Sequence, residues 1–400
     1  MTAHTNAMEK VSTTQWLESI KDRAAQASET GLHWVHNAIE RRLHGENFVV
    51  AGQTPFETVF SDGLMSVRYY MPLTEAEITV GRDTLAVSPT QHRIPVVLVP
   101  PLAATSLNFD LLPERSLVKF LLAHGHRVYL VDWGDPQAEH HHLGLQHYTT
   151  RMLPEALKVI RAHSAEPELS LLGYCMGGLF SLIYAAWSHD AQIRNIITVA
   201  APIDSHQIGV AGKLVQMMDA PLRTLQRAVP GINRFHGLPL DARWLQIPGW
   251  ANSWMFKLTN PVGVVQGYLD LLMNLWDRDY VTHYQTMSRW FNQMSAYPGG
   301  IVQDFVLKVG LGNQLAKGKI NITRDEKALL DCIECSLLAI AGDNDKIVSV
   351  DAARKVLDIV GSCDKTFKVA AGGHAGVFGG SRAPQTTWTY AAEWLAGRSD

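Results

Sequence analysis

Residues 168–180 read ELSLLGYCMGGLF and decide the expected fold. Their centre, Gly173–Gly177, has the G-x-nucleophile-x-G pattern of a nucleophile elbow, with cysteine where most such elbows carry serine. The apolar residues Leu169–Leu172 predict a buried strand, and Leu179–Trp187 predict a helix packed behind the turn. The stretch therefore predicts that Cys175 lies at a sharp strand-to-helix turn.

A cysteine at this turn favours acyl transfer. The N-terminal end of the following helix offers free N–H groups and a positive dipole end, which stabilise a thiolate and a developing oxyanion. An acyl group on Cys175 is a thioester, which stays activated for transfer, whereas a serine ester retains less transfer potential. The elbow thus indicates thioester substrates more than ester hydrolysis. The structural alternative is a small buried thiol between a strand and a helix.

Composition excludes several classes of function. The chain has 400 residues and a net charge of −3, without a basic run or RNA-binding motif, so no nucleic-acid partner is expected. No signal peptide is recognisable at the N-terminus, which predicts a cytoplasmic protein. The uncharged run 169–187 contains clustered glycines and a strand-then-helix pattern, so no transmembrane segment is predicted. Four cysteines do not suggest a disulfide framework.

No metal or resident cofactor is predicted. Cys332 and Cys335 form a C-x-x-C without a second pair. The three histidines His140–His142 are adjacent in a polar loop and cannot easily converge on one metal. Asp343–Asp345 begins like a calcium loop but lacks the glycine and the distal glutamate that such a loop needs.

Strand and helix patterns alternate on both sides of a long interruption. Residues 56–72 alternate like a hairpin around Ser61–Gly63, which predicts an antiparallel edge. Continuous apolar strands are then predicted at Ile94–Val99, Arg127–Trp133, Leu169–Leu172, Ile193–Ala200, Ser336–Ala341 and Lys365–Ala371. The pattern predicts an α/β-hydrolase fold, with a mostly parallel sheet and a helical cap insertion.

Four parts of the chain are expected. Residues 1–45 predict an N-terminal helical arm, whose second segment carries Leu32, Val35, Ile39 and Leu43 and stops at Gly45. The arm either packs on the core or forms a docking surface. Residues 46–204 and 326–400 are the two parts of the core, and 205–325 are the cap. The cap tryptophans are expected to form mostly cap core, with one or two lining an apolar acyl channel: Trp244, Trp250, Trp254, Trp276 and Trp290.

An elbow cysteine needs a base and a group that orients the base. The chain order nucleophile, acid, histidine points to Asp345 in G-x-x-D-x-x-V and to His374 between glycines after the last strand. Asp343 is the alternative acid, or it caps the turn. The oxyanion hole is expected to use the backbone N–H of Met176 and a second N–H from Leu102 or Ala103.

Several blocks together resemble the polyhydroxyalkanoate synthases, especially the short synthases that act with a separate subunit. The resemblance covers about residues 50–400 and rests on VVLVPPLAATSLNFDLLPERSLVKFLLAHGHRVYLVDWGDP, GYCMGG, DNDKIV and GGHAGVFGG. It implies polymerisation of 3-hydroxyacyl-CoA with CoA release and the triad Cys175, Asp345 and His374. CoA is then the carrier of the substrate rather than a cofactor.

The resemblance also implies partners. These are a storage-granule surface, a small accessory subunit and a second copy in a homodimer. Two other functions stay open: a related Cys-dependent thioesterase or acyltransferase, and a synthase-like protein that binds granules without turnover. The chain departs from the family pattern at Lys346, at Ser349 and at Ala103–Thr105, which replace a histidine, a proline and an Ile-Asn-Lys block.

Overall fold

An eight-stranded sheet forms the centre of the larger of two units into which the chain separates. In this computed structural model the described residues are 13–207, 241–258 and 261–400. The larger unit comprises Ala51–Thr259 and Arg289–Asp400, and the smaller comprises Met1–Val50 and Asn260–Ser288. Residues 208–240 of the predicted cap lie outside the described residues, and the four-part division of the chain stays a prediction.

The sheet is mostly parallel, as predicted. Its order is β1-β2-β8-β5-β9-β10-β13-β14, in which β1, β2 and β8 pair antiparallel and β8 onward pair parallel. These strands are β1 Phe56–Asp62, β2 Met65–Tyr70, β5 Val96–Val99, β8 Val128–Asp132, β9 Leu169–Tyr174, β10 Ile193–Val199, β13 Ser336–Gly342 and β14 Lys365–Ala370. The predicted antiparallel edge hairpin is thereby confirmed.

In the part of the chain that the structure describes, three short two-stranded ribbons, which the sequence did not predict, lie outside this sheet. They pair β3 Glu77–Val80 with β4 Asp83–Ala86, β6 Asp110–Leu112 with β7 Arg115–Ser116, and β11 Lys319–Asn321 with β12 Lys327–Leu329. At two to four residues, each strand is too short to show the alternation on which a sequence prediction depends.

The described helices, numbered in chain order, complete the two units. They are α1 Thr13–Leu43, α2 Leu117–Ala123, α3 Leu145–His147, α4 Leu153–Ser164, α5 Met176–Ser188, α6 Ala242–Leu245, α7 Gly249–Leu258, α8 Pro261–Met273, α9 Arg278–Asn292, α10 Gly299–Asp304, α11 Val350–Arg354, α12 Val356–Ile359, α13 Gly376–Gly379 and α14 Thr389–Ala396. Within the described ranges, none is both long and apolar enough to cross a bilayer.

Each face of the sheet carries its own apolar core. Because side chains alternate along a strand, neighbouring residues such as Leu171 and Leu172 belong to different clusters. One cluster contains Leu171 with α4 and α5, and the other contains Leu172 with α2 and α14. Burial on both faces explains why these strands read as continuous apolar runs.

The smaller unit contains α1, α8 and most of α9. The sequence predicted two helical segments, whereas α1 is continuous over 31 residues. Its inner face carries Trp34 and Asn37, which donate to the carbonyls of Leu272 and Leu275 at 3.0 and 2.8 Å. Leu275 belongs to a small buried cluster that includes Phe48.

The predicted apolar stripe of α1 faces outward. Leu32, Val35, Ile39 and Leu43 are each half exposed or more. Helical spacing identified these residues as one face of α1, but it could not tell which face packs inside the unit.

Candidate active site

Cys175 lies between β9 and α5 in a strained backbone conformation. Its φ and ψ are 52° and −117°, and its N–H donates to the carbonyl of Val199 on the neighbouring strand at 2.8 Å. A positive φ costs a non-glycine residue about 1–3 kcal/mol and persists only where the surrounding structure enforces it. The turn predicted from the sequence is therefore present, and it holds the half-buried thiol at the carboxyl end of the sheet.

Glycines on both sides of Cys175 are required by close backbone approach. A Cβ at Gly173 would lie 2.5 Å from the backbone of Gly177. A Cβ at Gly177 would lie 1.9 Å from the carbonyl oxygen of Val99. Both contacts are impossible for a side chain and both neighbours are backbone, so only glycine fits.

His374 and Asp345 are brought together by the loops after β14 and β13. His374 Nδ1 lies 2.8 Å from Asp345 Oδ2, and the two side chains are 8% and 0% exposed. The other oxygen of Asp345 accepts from the N–H groups of Ile347 and Val348 at 2.8 and 2.9 Å. These bonds fix the carboxylate, so it orients the imidazole with its Nε2 free for Cys175.

Asp343 occupies a different position. Its Oδ1 accepts from the N–H of Gly372 at 2.8 Å, and its own N–H donates to the carbonyl of Ala370. Asp343 thus ties the turn after β13 to the start of the loop that carries His374, while Asp345 contacts the imidazole itself.

The charge state of His374 depends on both neighbours. Burial alone lowers the pKa of His374, but the charge on Cys175 and the hydrogen bonds with Asp345 and Cys175 outweigh burial and raise the pKa to about 10. The raised pKa favours the imidazolium form of His374, which places a positive charge beside the sulfur of Cys175.

Tyr174 positions the histidine loop, a role that sequence reasoning missed. Its hydroxyl donates to the carbonyl of His374 at 3.0 Å, and its ring stacks on Phe378 at 4.3 Å between centroids. Burial raises the pKa of Tyr174 well above its usual value, so the phenol stays a neutral donor. No local pattern signals this contact, because Tyr174 and His374 are 200 residues apart.

A cavity of about 390 Å³ opens onto Cys175 and His374. Its lining is mainly apolar and comprises Pro101, Ala103, Ala104, Tyr174, Asn252, Met255, Phe256, Trp290, Met294, Tyr297, Lys346 and Ile347, beside the two reactive residues. Apolar walls with a few polar groups are typical of ligand sites.

The two oxyanion candidates after β5 separate in the structure. Ala103 lines the cavity, whereas Leu102 is buried in the core cluster beside α5. Met176 is the first residue of α5, so its N–H is one of those left without an intrahelical acceptor. The carbonyl of Ala103 accepts from Ser295 at 3.0 Å, which ties this loop to the segment after α9.

The five predicted cap tryptophans differ in exposure, and the expectation that most of them form cap core is wrong. Trp244, Trp250, Trp254 and Trp276 are exposed, while Trp290 is buried and lines the cavity. Composition indicated an apolar lining, but it could not identify the one tryptophan of the five that contributes to it.

The remaining sequence motifs do not join this site. His140–His142 form part of a short 3₁₀ helix outside the cavity lining. Cys335 precedes β13, and burial raises the pKa of its thiol to about 12, which makes it a poor nucleophile. Over the described ranges, no three His, Cys, Asp or Glu side chains cluster as metal ligands would.

Comparison with known proteins places this chain in a family. The family model described as alpha/beta hydrolase fold matches residues 94–381. Three relatives are named poly(3-hydroxyalkanoate) polymerase subunit PhaC. The protein from Haloferax mediterranei is 28% identical, covering 91% of this chain and 68% of its own. Those from Allochromatium vinosum and Synechocystis sp. are each 27% identical, covering 89% and 96% of this chain and 92% and 97% of their own. The resemblance to polyhydroxyalkanoate synthases is thus confirmed, and the chain belongs to the α/β-hydrolase fold family.

Proposed function

We propose that this protein is an acyltransferase that polymerises 3-hydroxyacyl-CoA into a polyester and releases CoA. The observation that carries the proposal is a cysteine elbow paired with a buried His374–Asp345 couple in an apolar cavity. Relatives over most of the chain are named as poly(3-hydroxyalkanoate) polymerase subunits, which supports the same reaction.

Acylation begins with the thiolate of Cys175, which attacks the carbonyl carbon of the CoA thioester. The new carbon–sulfur bond forms as the carbonyl π electrons move to oxygen, and the N–H groups of Met176 and Ala103 stabilise that oxyanion. When the carbonyl re-forms, the bond to the CoA sulfur breaks. The imidazolium of His374 gives its proton to the departing thiolate, so CoA leaves as a thiol.

Transfer repeats the sequence with a different nucleophile. Neutral His374 removes the proton from the 3-hydroxyl group of a second acyl unit, and the hydroxyl oxygen attacks the thioester on Cys175. An ester bond forms, and the thiolate of Cys175 leaves beside the imidazolium. Asp345 keeps the imidazole oriented through both steps and stabilises its charge. No resident cofactor takes part in either step.

The proposal includes a place of action and partners. We propose that the protein works in the cytoplasm at a polyester granule surface, with an accessory subunit and as a homodimer. The exposed stripe of α1 supports an attachment role, as do the exposed apolar side chains of α8, which include Val262, Val265, Leu269 and Met273. Residues 205–325 would act as the cap that controls access to Cys175, and a growing chain requires that this cap opens.

Incubation with 3-hydroxybutyryl-CoA tests the reaction class. Thiol release, free acid and precipitate are measured in the same sample. The proposal expects CoA release accompanied by an insoluble ester polymer. CoA release with free acid alone would show that the protein acts as a thioesterase. Granule binding without CoA release would show that it is a non-catalytic granule protein.

A further inference from the structure

The block V-D-W-G-D-P at residues 131–136 lies beside the loop that we assign to the oxyanion hole. The block begins at the end of β8, and β8 pairs in parallel with β5. Residues 100–106, which follow β5 and include Ala103, are called here the oxyanion loop. Parallel neighbours end at the same edge of a sheet, where ligands bind in open α/β sheets. The block is therefore placed to determine how the oxyanion loop is held.

Both ends of the oxyanion loop are hydrogen-bonded to this block. At the start of the loop, the indole N–H of the buried Trp133 donates to the carbonyl of Pro100 at 2.8 Å. At its end, the hydroxyl of the buried Ser106 donates to Oδ2 of Asp132 at 2.8 Å. Two consecutive residues of the block thus fix the two ends of the loop.

Asp132 is itself held in place. Its Oδ1 accepts from the N–H of Gly134 at 3.0 Å, and the guanidinium of Arg68 on β2 donates to its Oδ2. Gly134 has a φ of 69°, and a Cβ there would lie 2.1 Å from the carbonyl oxygen of Leu64, so the turn requires glycine. Hydrogen bonds to an ionised group are about twice as strong as neutral ones. Ser106 is therefore bonded to a carboxylate whose position is fixed.

The middle of the oxyanion loop is tied to the same block through one further segment. The carbonyl of Ala103 accepts from the N–H of Ser295 at 3.0 Å. The N–H of the next residue, Ala296, donates to Oδ1 of Asp135 at 3.3 Å. The bond to Ser295 restricts the rotation of the backbone at Ala103, next to the N–H that we assign to the oxyanion hole.

The oxyanion loop also begins directly against the elbow. A Cβ at Gly177 would lie 1.9 Å from the carbonyl oxygen of Val99 and 3.0 Å from the carbonyl carbon of Pro100. Further along the loop, Ala103 lines the same cavity as Cys175. An oxyanion donor must lie about 2.7–3.1 Å from the position that the oxyanion will occupy. The bonds that fix this loop therefore bear on the rate of acylation at Cys175.

We propose that Asp132 and Trp133 are positioning residues, which hold the oxyanion loop so that its N–H groups meet the thioester oxygen as it becomes negative. The inference rests on the function proposed above, because acylation of Cys175 by a thioester forms an oxyanion. Both residues lie outside the lining of the Cys175 cavity, so they act through the loop rather than on the substrate.

Two reactions of Cys175 distinguish this role from a general effect on the site. Acylation by 3-hydroxybutyryl-CoA passes through an oxyanion. Alkylation by iodoacetamide forms a carbon–sulfur bond as iodide leaves, and no oxyanion is created. Single-turnover CoA release measures the first rate, and mass spectrometry of the peptide that contains Cys175 measures the second.

The variants Ser106→Ala and Trp133→Phe each remove one bond between the block and the loop. We expect each to lower the acylation rate by about 10- to 100-fold, because a misplacement of about 1 Å costs up to about 10²-fold. The alkylation rate should stay within about twofold of wild type, since surface and core changes away from the reacting groups leave the thiol in place.

Ser170→Ala is the matched control. It also removes a buried serine hydroxyl, which accepts from Asn195 Nδ2 at 2.9 Å, but at the opposite, amino end of β9. Both of its rates should stay close to those of wild type. Ser106→Ala removes only a hydroxyl, so it covers the case in which Trp133→Phe fails to fold.

Two results would overturn the inference while the proposed function stands. Equal losses in acylation and alkylation would assign these bonds to the fold or to the Cys175–His374 pair, and unchanged acylation would show that the loop is held without them. Wild-type CoA release with free acid and no polymer would overturn the proposed function alone, because thioester hydrolysis also forms an oxyanion. A wild-type protein that releases no CoA would overturn both.

Discussion

The two walls of the Cys175 cavity differ in how their polar groups are satisfied. On the sheet wall, formed by Tyr174, Cys175 and His374, the phenol and the imidazole both have hydrogen-bond partners within the protein. On the helical wall, formed by α7 and the end of α9, Asn252 and Trp290 keep polar atoms without one among the described residues. The sheet wall is thus held by internal hydrogen bonds, whereas the helical wall keeps two buried polar atoms unpaired within the same ranges.

Of the changes to the sheet wall, removal of the nucleophile Cys175 should lower the rate of CoA release most. We expect Cys175→Ala to lower the rate of CoA release by roughly 10⁶-fold, because the variant lacks the sulfur that accepts the acyl group. Circular dichroism and thermal unfolding should show an intact fold. Cys175→Ser should keep a small residual rate, because serine can form an ester intermediate but this ester transfers its acyl group poorly. Substantial activity in Cys175→Ala would show that the sheet wall does not supply the nucleophile.

The two aspartates after β13 offer a matched pair on the same wall. We expect Asp345→Asn to lower the rate of CoA release by about 10⁴, because the imidazole loses its orienting carboxylate. Asp343→Asn should cost far less, since Asp343 bonds the backbone of Ala370 and Gly372 rather than the imidazole. Steady-state rates of both variants give the ranking, and the reverse order would move the acid to Asp343.

The alkaline limit of activity should report the Cys175–His374 pair. His374 must carry a proton to release CoA, and its pKa is raised to about 10, so the rate should fall as the pH rises through that region. Asp345 is one of the groups that raise this pKa, so Asp345→Asn should move the fall to lower pH. A pH–rate profile of both proteins measures the shift. A shift to higher pH would contradict the assigned coupling.

Local patterns predicted Cys175 and His374 of the sheet wall, but not the contact that Tyr174 makes with the histidine loop. Gly173 and Gly177 are needed at the elbow because backbone lies within 2.5 Å of any Cβ there, and this requirement is visible in the sequence. The spacing G-x-x-D-x-x-V likewise distinguished Asp345 from Asp343. The helical wall could not be predicted, because a missing hydrogen-bond partner is a property of the packed chain. Asn252 has no motif, and Trp290 resembles four tryptophans that are exposed.

The smallest effect on CoA release is expected from substitutions in the apolar stripe of α1, which is distant in sequence from Cys175. Leu32→Glu combined with Ile39→Glu should leave CoA release within about twofold, since both side chains are exposed. Attachment to polyester particles, measured by co-sedimentation, should fall because the apolar surface is lost. Asn37→Ala on the opposite face is the control, and it should lower thermal stability instead, since Asn37 is buried and bonded to Leu275. Unchanged attachment in the double variant would remove this role from α1.

The central claim is that the acyl group passes through the sulfur of Cys175. Rapid acid quench after mixing with 3-hydroxybutyryl-CoA, followed by peptide mass spectrometry, tests it directly. The account predicts a hydroxybutyryl group on the peptide that contains Cys175, removed by hydroxylamine and absent in Cys175→Ala. CoA release without acylation at Cys175, or acylation at another residue, would contradict it.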